Sequence, residues 1–266
     1  MKRQNISSVL RKLRVLYLSD WLRFYWQKFK NRKVNKRFKA QNPNINLPPD
    51  YMIYESFRIH YQRYYTDSKE SSEELVSRFR KHIDLENKKI LDWGCGPARI
   101  IRHLPEIIGN NCEYYGSDYN KKTIAWNKKN IKDVDFNNND LTAKLPYEDD
   151  FFDVIYGLSV LTHLSKQLHF DWFEELSRVL RKGGILFLTT QGDNFRNKLT
   201  SAEIERYDNN ELIVRGNVLE GHRTYSAFHP KKFMQDLFEK VEILEHIELP
   251  IKEGWIPQDI WIIRKK

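Results

Sequence analysis

A doubly wound α/β sheet of seven strands, with helices on both faces and a basic helical extension at the N-terminus, is the fold this sequence predicts. Three observations lead there. From residue 88 onward, apolar strand-like runs alternate with helical stretches, the pattern of a parallel sheet covered on both faces. The first run, KILDWG at 89–94, breaks into Gly94-Cys95-Gly96-Pro97, a tight turn at the carboxyl end of a strand, where open sheets bind ligands. Finally, 266 residues with 40% hydrophobic and 14% aromatic side chains suffice for a sizeable core.

The extension covers residues 1–40. Residues 1–39 hold 13 Lys/Arg and one acid, Asp20, a balance of +12; the rest of the chain is left at −3 out of a total of +9. The body is therefore slightly acidic, which argues against a nucleic-acid groove in it. Leu10, Leu13, Tyr17, Trp21, Phe24 and Lys28 recur at spacings of three and four, predicting one helical face. Arg11, Arg14, Arg23 and Lys30 spread over the remainder. The longest wholly apolar run, residues 15–18, is too short for a membrane span or a signal-peptide core. Three partners stay open for the extension: the rest of the chain or a second copy in a homodimer, an anionic membrane surface, and nucleic acid.

The Pro/Asn-rich AQNPNINLPPD (40–50) predicts a linker and opens a helical lead-in over 41–87. Within it, the aromatic YMIYESFRIHYQRYY (51–65) predicts helix, and Ser71 and Ser72 ahead of Glu74 predict a capped helix start. The main domain spans 88–266. KILDWG leads to a helix near 97–108, CEYYGSD to a helix near 120–130, and VDFNNND to a loop. FDVIYGLSVL precedes the helix KQLHFDWFEELSRVLRKGG, and ILFLTTQ follows. An insertion at 193–228 comes before a last helix and the strands VEILEHIEL and QDIWIIRKK. Two cysteines, Cys95 and Cys112, are too few for a disulfide framework or a zinc site, which suits a cytoplasmic protein.

A nicotinamide or flavin fingerprint needs Gly-x-Gly-x-x-Gly, and Arg99 stands where the third glycine belongs. The run Asp92, Gly94, Gly96 and Ala98 instead resembles the first motif of the Rossmann-like class I S-adenosylmethionine-dependent methyltransferases, an acid followed by Gly-x-Gly-x-Gly/Ala. Further landmarks follow in order. Asp118 closes YYGSD, 22 residues after Gly96, and Asp140 lies in FNNNDLT another 22 residues on. DDFFDVIYGLSVLTHL resembles the fourth-strand motif, and LSRVLRKGGILFLTT the helix, turn and fifth strand. The resemblance covers 70–192 and extends to 229–266. It implies S-adenosyl-L-methionine as cofactor, held by Asp92, Gly94, Cys95, Gly96, Asp118, Tyr119, Asp140, Leu141, Gly157 and Leu158. In the family, the acid matching Asp118 accepts bonds from the ribose hydroxyls and the one matching Asp140 from the adenine amino group.

Methyl transfer from a sulfonium to a hydroxyl needs a positioned acceptor and a proton acceptor; it needs no metal. His163, after the fourth strand, is the first candidate base, and His222 and Tyr225 in the insertion are the others. His229, before Pro230, predicts a helix cap, and nothing specific supports His60. YGLS at 156–159 is not the Asn/Asp-Pro-Pro-Tyr/Phe of adenine and glutamine methyltransferases, and neither cysteine is placed for cytosine C5 chemistry. The expectation is O-methylation of a small molecule or of a glycan or lipid-linked sugar. GWIPQDIWIIRKK and PPDYMIYESFRIHYQRYY are loosely similar to bacterial methyltransferases of surface-polysaccharide biosynthesis. An RNA methyltransferase guided by the basic arm and a cofactor-binding protein without turnover are the alternatives.

Overall fold

The computed structural model describes residues 16–56 and 58–266, with the side chains of Leu16, Tyr17 and Ser56 outside the description. Helices α1 (Leu16–Gln41), α2 (Asp50–Ser56) and α3 (Tyr61–Phe79) come first. Strand β1 (Lys89–Trp93) is followed by a short 3₁₀ turn at 101–103 and α4 (Leu104–Ile108), then β2 (Glu113–Asp118), α5 (Lys121–Asn130) and β3 (Asp135–Asn138). Next come β4 (Phe152–Gly157), α6 (Lys166–Val179) and β5 (Leu180–Thr190). The insertion carries α7 (Ser201–Asp208) and the strands β6 (Ile213–Arg215) and β7 (Ser226–Phe228); α8 (Lys231–Leu237), β8 (Glu242–Ile247) and β9 (Asp259–Arg264) end the chain. Seven strands form one sheet in the order β3-β2-β1-β4-β5-β9-β8. Pairing is parallel for β2/β3, β1/β4 and β4/β5, and antiparallel for β5/β9 and β8/β9. The doubly wound α/β expectation holds, including the reversal of order after β3.

The chain divides into two compact units. One comprises the described residues up to Leu85 together with 95–138; the other comprises 86–94 and 139–266.

In the first unit, α1 packs through an inner face that is largely polar. Gln27 Oε1 accepts the Ile59 N–H at 3.1 Å, and the Asn31 and Asn35 amides donate to the Ile59 carbonyl at 2.7 and 3.3 Å. Asn35 Oδ1 takes the Tyr61 N–H at 3.0 Å. These side chains satisfy the backbone where α2 and α3 are interrupted, a buried polar debt that would otherwise be costly. The interruption corrects the expectation of one continuous helix over 51–65. Around it Phe38, Ile53, Tyr54, Ile59, Tyr61 and Tyr64 form a core cluster, with Phe24 packed against it. The helical face predicted for the extension is therefore split. Phe24 turns inward and Lys28 pairs with Asp50, whereas Trp21 is exposed. Leu10 and Leu13 lie outside the described residues.

Helix α3 is one element through 61–79, so Ser71 and Ser72 lie inside it and do not start it. Their hydroxyls donate back to Asp67 and Ser68 carbonyls, the usual compromise of serine inside a helix. The true N-cap is His60, whose Nδ1 accepts the Arg63 N–H. The helix predicted near 97–108 is shorter, because the turn after β1 leaves α-geometry only from Leu104.

In the second unit, β4 is buried throughout and β5 from Gly184 on except Thr189, while β5 starts directly after α6, five residues earlier than ILFLTTQ, with Arg181, Lys182 and Gly183 exposed. The insertion folds on itself. Thr200 and Glu203 form a capping box for α7, Glu203 also pairs with Arg215 at 2.6 Å, and Phe195, Leu199, Tyr207, Ile213 and Phe228 cluster beneath. His229 is not the cap of α8, whose N-cap position is Pro230. It is wholly buried, with Nε2 2.9 Å from His169 Nε2. His169 Nδ1 donates to the Ser165 carbonyl at 2.7 Å, so its neutral ring receives the His229 N–H at Nε2. Burial holds both rings below the usual histidine range, His169 to about 4.

Candidate functional site

The first set of predicted residues lies in the first unit, around the turn after β1. Gly96 and Ala98 both take positive φ, 50° and 56°, as does Gly94 just before them at 74°. Alanine adopts this conformation at a cost of about 1 kcal/mol or more, so the motif's last position is strained where its glycine form would not be. At Gly94 glycine is obligatory for a second reason: an added Cβ would lie 2.4 Å from a Val160 methyl. The Cys95 N–H donates to the Ser117 carbonyl at 2.9 Å, and the Gly96 N–H to Asp118 Oδ2 at 2.9 Å. Asp118 Oδ1 also accepts the Asn120 N–H at 2.8 Å. Burial raises this carboxyl to about 6, more than those backbone N–H bonds lower it. Tyr119 is half-buried beside it, its phenol pushed up to about 12 by burial first and then by the Asp118 charge.

Two residues that sequence reasoning passed over hold the turn in place. Asn127 on α5 donates to the Gly96 carbonyl at 2.8 Å, and Tyr64 on α3 donates its hydroxyl to the Pro97 carbonyl. Arg102 in turn reaches the Tyr64 oxygen at 3.2 Å. A helical asparagine and one tyrosine among many carry no local signal, which is why they were not found. Tyr64, with Ile53, Tyr54, Ile59 and Tyr61, puts the inner side of the 51–65 run in the core, while Tyr51 is exposed.

The second set lies in the second unit. Asp92 is buried in β1, paired in register with Tyr156 of β4. Gly157 ends β4, and its missing side chain makes room for the Trp93 ring, which a Cβ would approach to 2.6 Å. Its glycine is thus explained by packing. Leu158 is partly exposed, Asp140 is exposed beyond β3, and the Leu141 carbonyl accepts the Trp172 indole N–H at 3.2 Å. Beyond Gly157, Ser159 takes φ 67° and is held there by a network: its N–H donates to Thr189 Oγ1 at 2.8 Å and Gln258 donates to its hydroxyl at 2.7 Å. Non-glycine residues in this region persist only when the surroundings enforce them, and they gather at functional sites.

This loop leads to His163, and the structure brings His163, His222 and Tyr225 together. His163 Nδ1 lies 2.9 Å from the Tyr225 carbonyl, and Gly221 N–H donates to the His163 carbonyl at 2.9 Å. A carbonyl only accepts, so Nδ1 carries the proton and the neutral ring keeps its lone pair at Nε2. Burial, followed by the nearby His222, lowers the His163 pKa below the ordinary range. His222 is engaged differently: its Nδ1 accepts the Thr224 N–H at 3.3 Å and faces the Thr224 hydroxyl at 2.9 Å. Burial raises the Tyr225 phenol, which therefore stays protonated at neutral pH.

Comparison with known proteins shows what the chain is similar to. A family described as "Methyltransferase domain" matches residues 90–184. A mitochondrial ubiquinone biosynthesis O-methyltransferase of Dictyostelium discoideum is 25% identical over 58% of this chain and 50% of its own length. A malonyl-[acyl-carrier protein] O-methyltransferase of Enterobacter lignolyticus is 30% identical over 49% of each. The chain thus spans about half the length of the curated relatives it matches. A solved S-adenosylmethionine-dependent methyltransferase from Methanosarcina mazei shares the fold at 20% identity and TM-score 0.53, covering 71% of this chain and 96% of its own. The cofactor this family implies is S-adenosylmethionine, and the residues present fit it. Gly94 and Gly96, at positive φ and without side chains, leave room for a ligand to approach the backbone, and each Asp118 oxygen, taking one N–H, keeps a lone pair for a hydroxyl donor.

Proposed function

We propose that this chain, which carries a class I S-adenosylmethionine-dependent methyltransferase domain at residues 90–184, is an O-methyltransferase acting on a small molecule or on a glycan or lipid-linked sugar. When bound, the cofactor supplies a methyl group activated on a sulfonium. By the family resemblance, Asp118 would accept the ribose hydroxyls, Asp140 would take the adenine amino group, and Asp92 with the glycines at 94 and 96 would serve the methionine part. His163 takes the acceptor's hydroxyl proton at Nε2 as the oxygen attacks, and its Nδ1–H bond to the Tyr225 carbonyl holds the ring through the charge change.

That bond carries the proposal, because it leaves a base at the one ring nitrogen able to serve a hydroxyl acceptor. The O-methyltransferase names of the two curated relatives support the same acceptor atom. Two buried, free cysteines suit a reducing compartment such as the cytoplasm. The test uses purified protein, radiolabelled S-adenosylmethionine and a cell extract split into aqueous, lipid and RNA fractions. Label in the aqueous or lipid fraction, lost in His163→Ala, is the expected result. Label in RNA alone overturns the acceptor class, and cofactor binding without label in any fraction overturns the enzyme.

A further inference from the structure

Helix α1 is apolar on two sides: Phe24 and Phe38 face inward among the polar side chains of Gln27, Asn31 and Asn35, and a second set of large apolar side chains faces out. Leu18, Trp21, Leu22, Tyr25, Trp26 and Phe29 are all more than half exposed, up to 66% for Phe29. They recur at spacings of three and four, so they form one stripe about 16 Å long on a straight helix. The face buried against α2 and α3, through Phe24, Gln27, Asn35 and Phe38, lies opposite. The same outer face continues into exposed Arg32, Lys33 and Lys36. Two cations lie over stripe rings, Lys30 over Trp26 at 4.8 Å and Arg32 over Phe29 at 4.7 Å. An apolar band of this size on a soluble surface marks an interaction site.

We infer that this face docks on an anionic phospholipid surface. Charge argues for that occupant. Across 16–41 the helix has eight Lys/Arg and a single acid, Asp20, which accepts the Tyr54 hydroxyl at 3.0 Å on the inner side. A second copy of the helix laid on the stripe would set one strongly cationic rod against another, which is repulsive. Nucleic acid would leave Leu18 and Leu22 without a matching surface. A lipid interface takes all three components at once: aliphatic groups enter the acyl boundary, Trp and Tyr sit at headgroup depth, and Lys/Arg meet the phosphates. Among the described residues no helix is long and apolar enough to cross a membrane, so the helix lies on the surface.

The test is co-sedimentation of the full chain with phosphatidylcholine vesicles, with and without phosphatidylglycerol, beside light scattering of the free protein. Two variants are compared: Trp21→Ser/Leu22→Ser/Trp26→Ser/Phe29→Ser, and Arg32→Gln/Lys33→Gln/Lys36→Gln. All the altered side chains are exposed, and circular dichroism melting checks that each variant folds. The native chain is expected to bind anionic vesicles at least about tenfold better than neutral ones, the preference falling with salt. The apolar variant should lose binding, and the basic variant should lose the preference for anionic lipid. Binding by the apolar variant equal to that of the native chain would overturn the inference, since the contact would then lie elsewhere, such as in residues 1–15. No binding by the native chain overturns it as well, as does a dimer that the apolar variant dissolves, which would assign the stripe to a second copy.

Discussion

Two imidazoles that neighbour each other in the insertion-side loops differ in what their ring nitrogens are free to do. His163 spends its Nδ1–H on the Tyr225 carbonyl and keeps a basic Nε2, whereas the His222 Nδ1 is committed to the Thr224 N–H. His163→Ala should therefore lower kcat by about 10²–10⁴-fold with cofactor affinity unchanged. His222→Ala should cost under about tenfold, which steady-state kinetics on the identified acceptor will read. Tyr225→Phe should leave kcat within about twofold, because the group that orients His163 is the backbone carbonyl. The direction of the His163 shift sets the pH profile: the ring is neutral at pH 7 and activity falls only on acidification below the ordinary histidine range. His163 after the fourth strand and His222 and Tyr225 in the insertion stood out in the sequence as candidates, and the structure places them near one another. Which of them keeps a usable lone pair was not legible there, because it depends on a carbonyl 62 positions away.

At the scale of elements, the turn between β1 and α4 and the buried pair of His169 on α6 and His229 before α8 carry separate predictions. Gly94→Ala combines a left-handed φ with a contact of 2.4 Å to Val160, so it should destabilise by roughly 2–4 kcal/mol in denaturant titration. Ala98→Gly at φ 56° relieves strain and should be neutral or stabilising by up to about 1 kcal/mol. For His169 the folded pKa of about 4 lies below the unfolded value near 6.5, so the unfolded chain binds the extra proton in between. Its contribution to stability is complete above pH 6.5 and is lost as pH falls through about 4, amounting to roughly 3 kcal/mol. His229 shifts the same way, and His169→Phe/His229→Phe should flatten that acid limb of the melting profile. Strand alternation made β1 to β5 readable, and the two C-terminal strands with them. The break between α2 and α3 was not readable, because it is maintained by Gln27, Asn31 and Asn35 from a distant helix. Nor was the inward histidine pair, since His229 before Pro230 has the local signature of a cap.

On the scale of the whole molecule, the charge asymmetry that was plain in the composition has a structural counterpart. Over its described residues, 16–40, the basic extension is a helix anchored by amides on one side and exposing aromatics on the other, while a slightly acidic body carries the sheet and both sets of site residues. Order along the chain was enough to find the landmark acids, because Asp92 lies near the end of β1, Asp118 at the end of β2 and Asp140 just beyond β3. The proposed function stands or falls on S-adenosylmethionine binding at the turn after β1 with Asp118 as ribose acceptor. The most direct measurement is calorimetric titration of S-adenosylhomocysteine into the native chain and Asp118→Asn, at pH 5 and 7.5. Because ribose hydroxyls need the ionised carboxylate and its pKa is raised to about 6, affinity for the native chain should rise between those pH values. Binding at pH 5 should also release close to one proton from Asp118, seen as a dependence of the heat on buffer, and Asp118→Asn should bind at least about tenfold more weakly with neither effect. Equal affinity of the two proteins, or no binding to the native chain at either pH, would contradict that proposal.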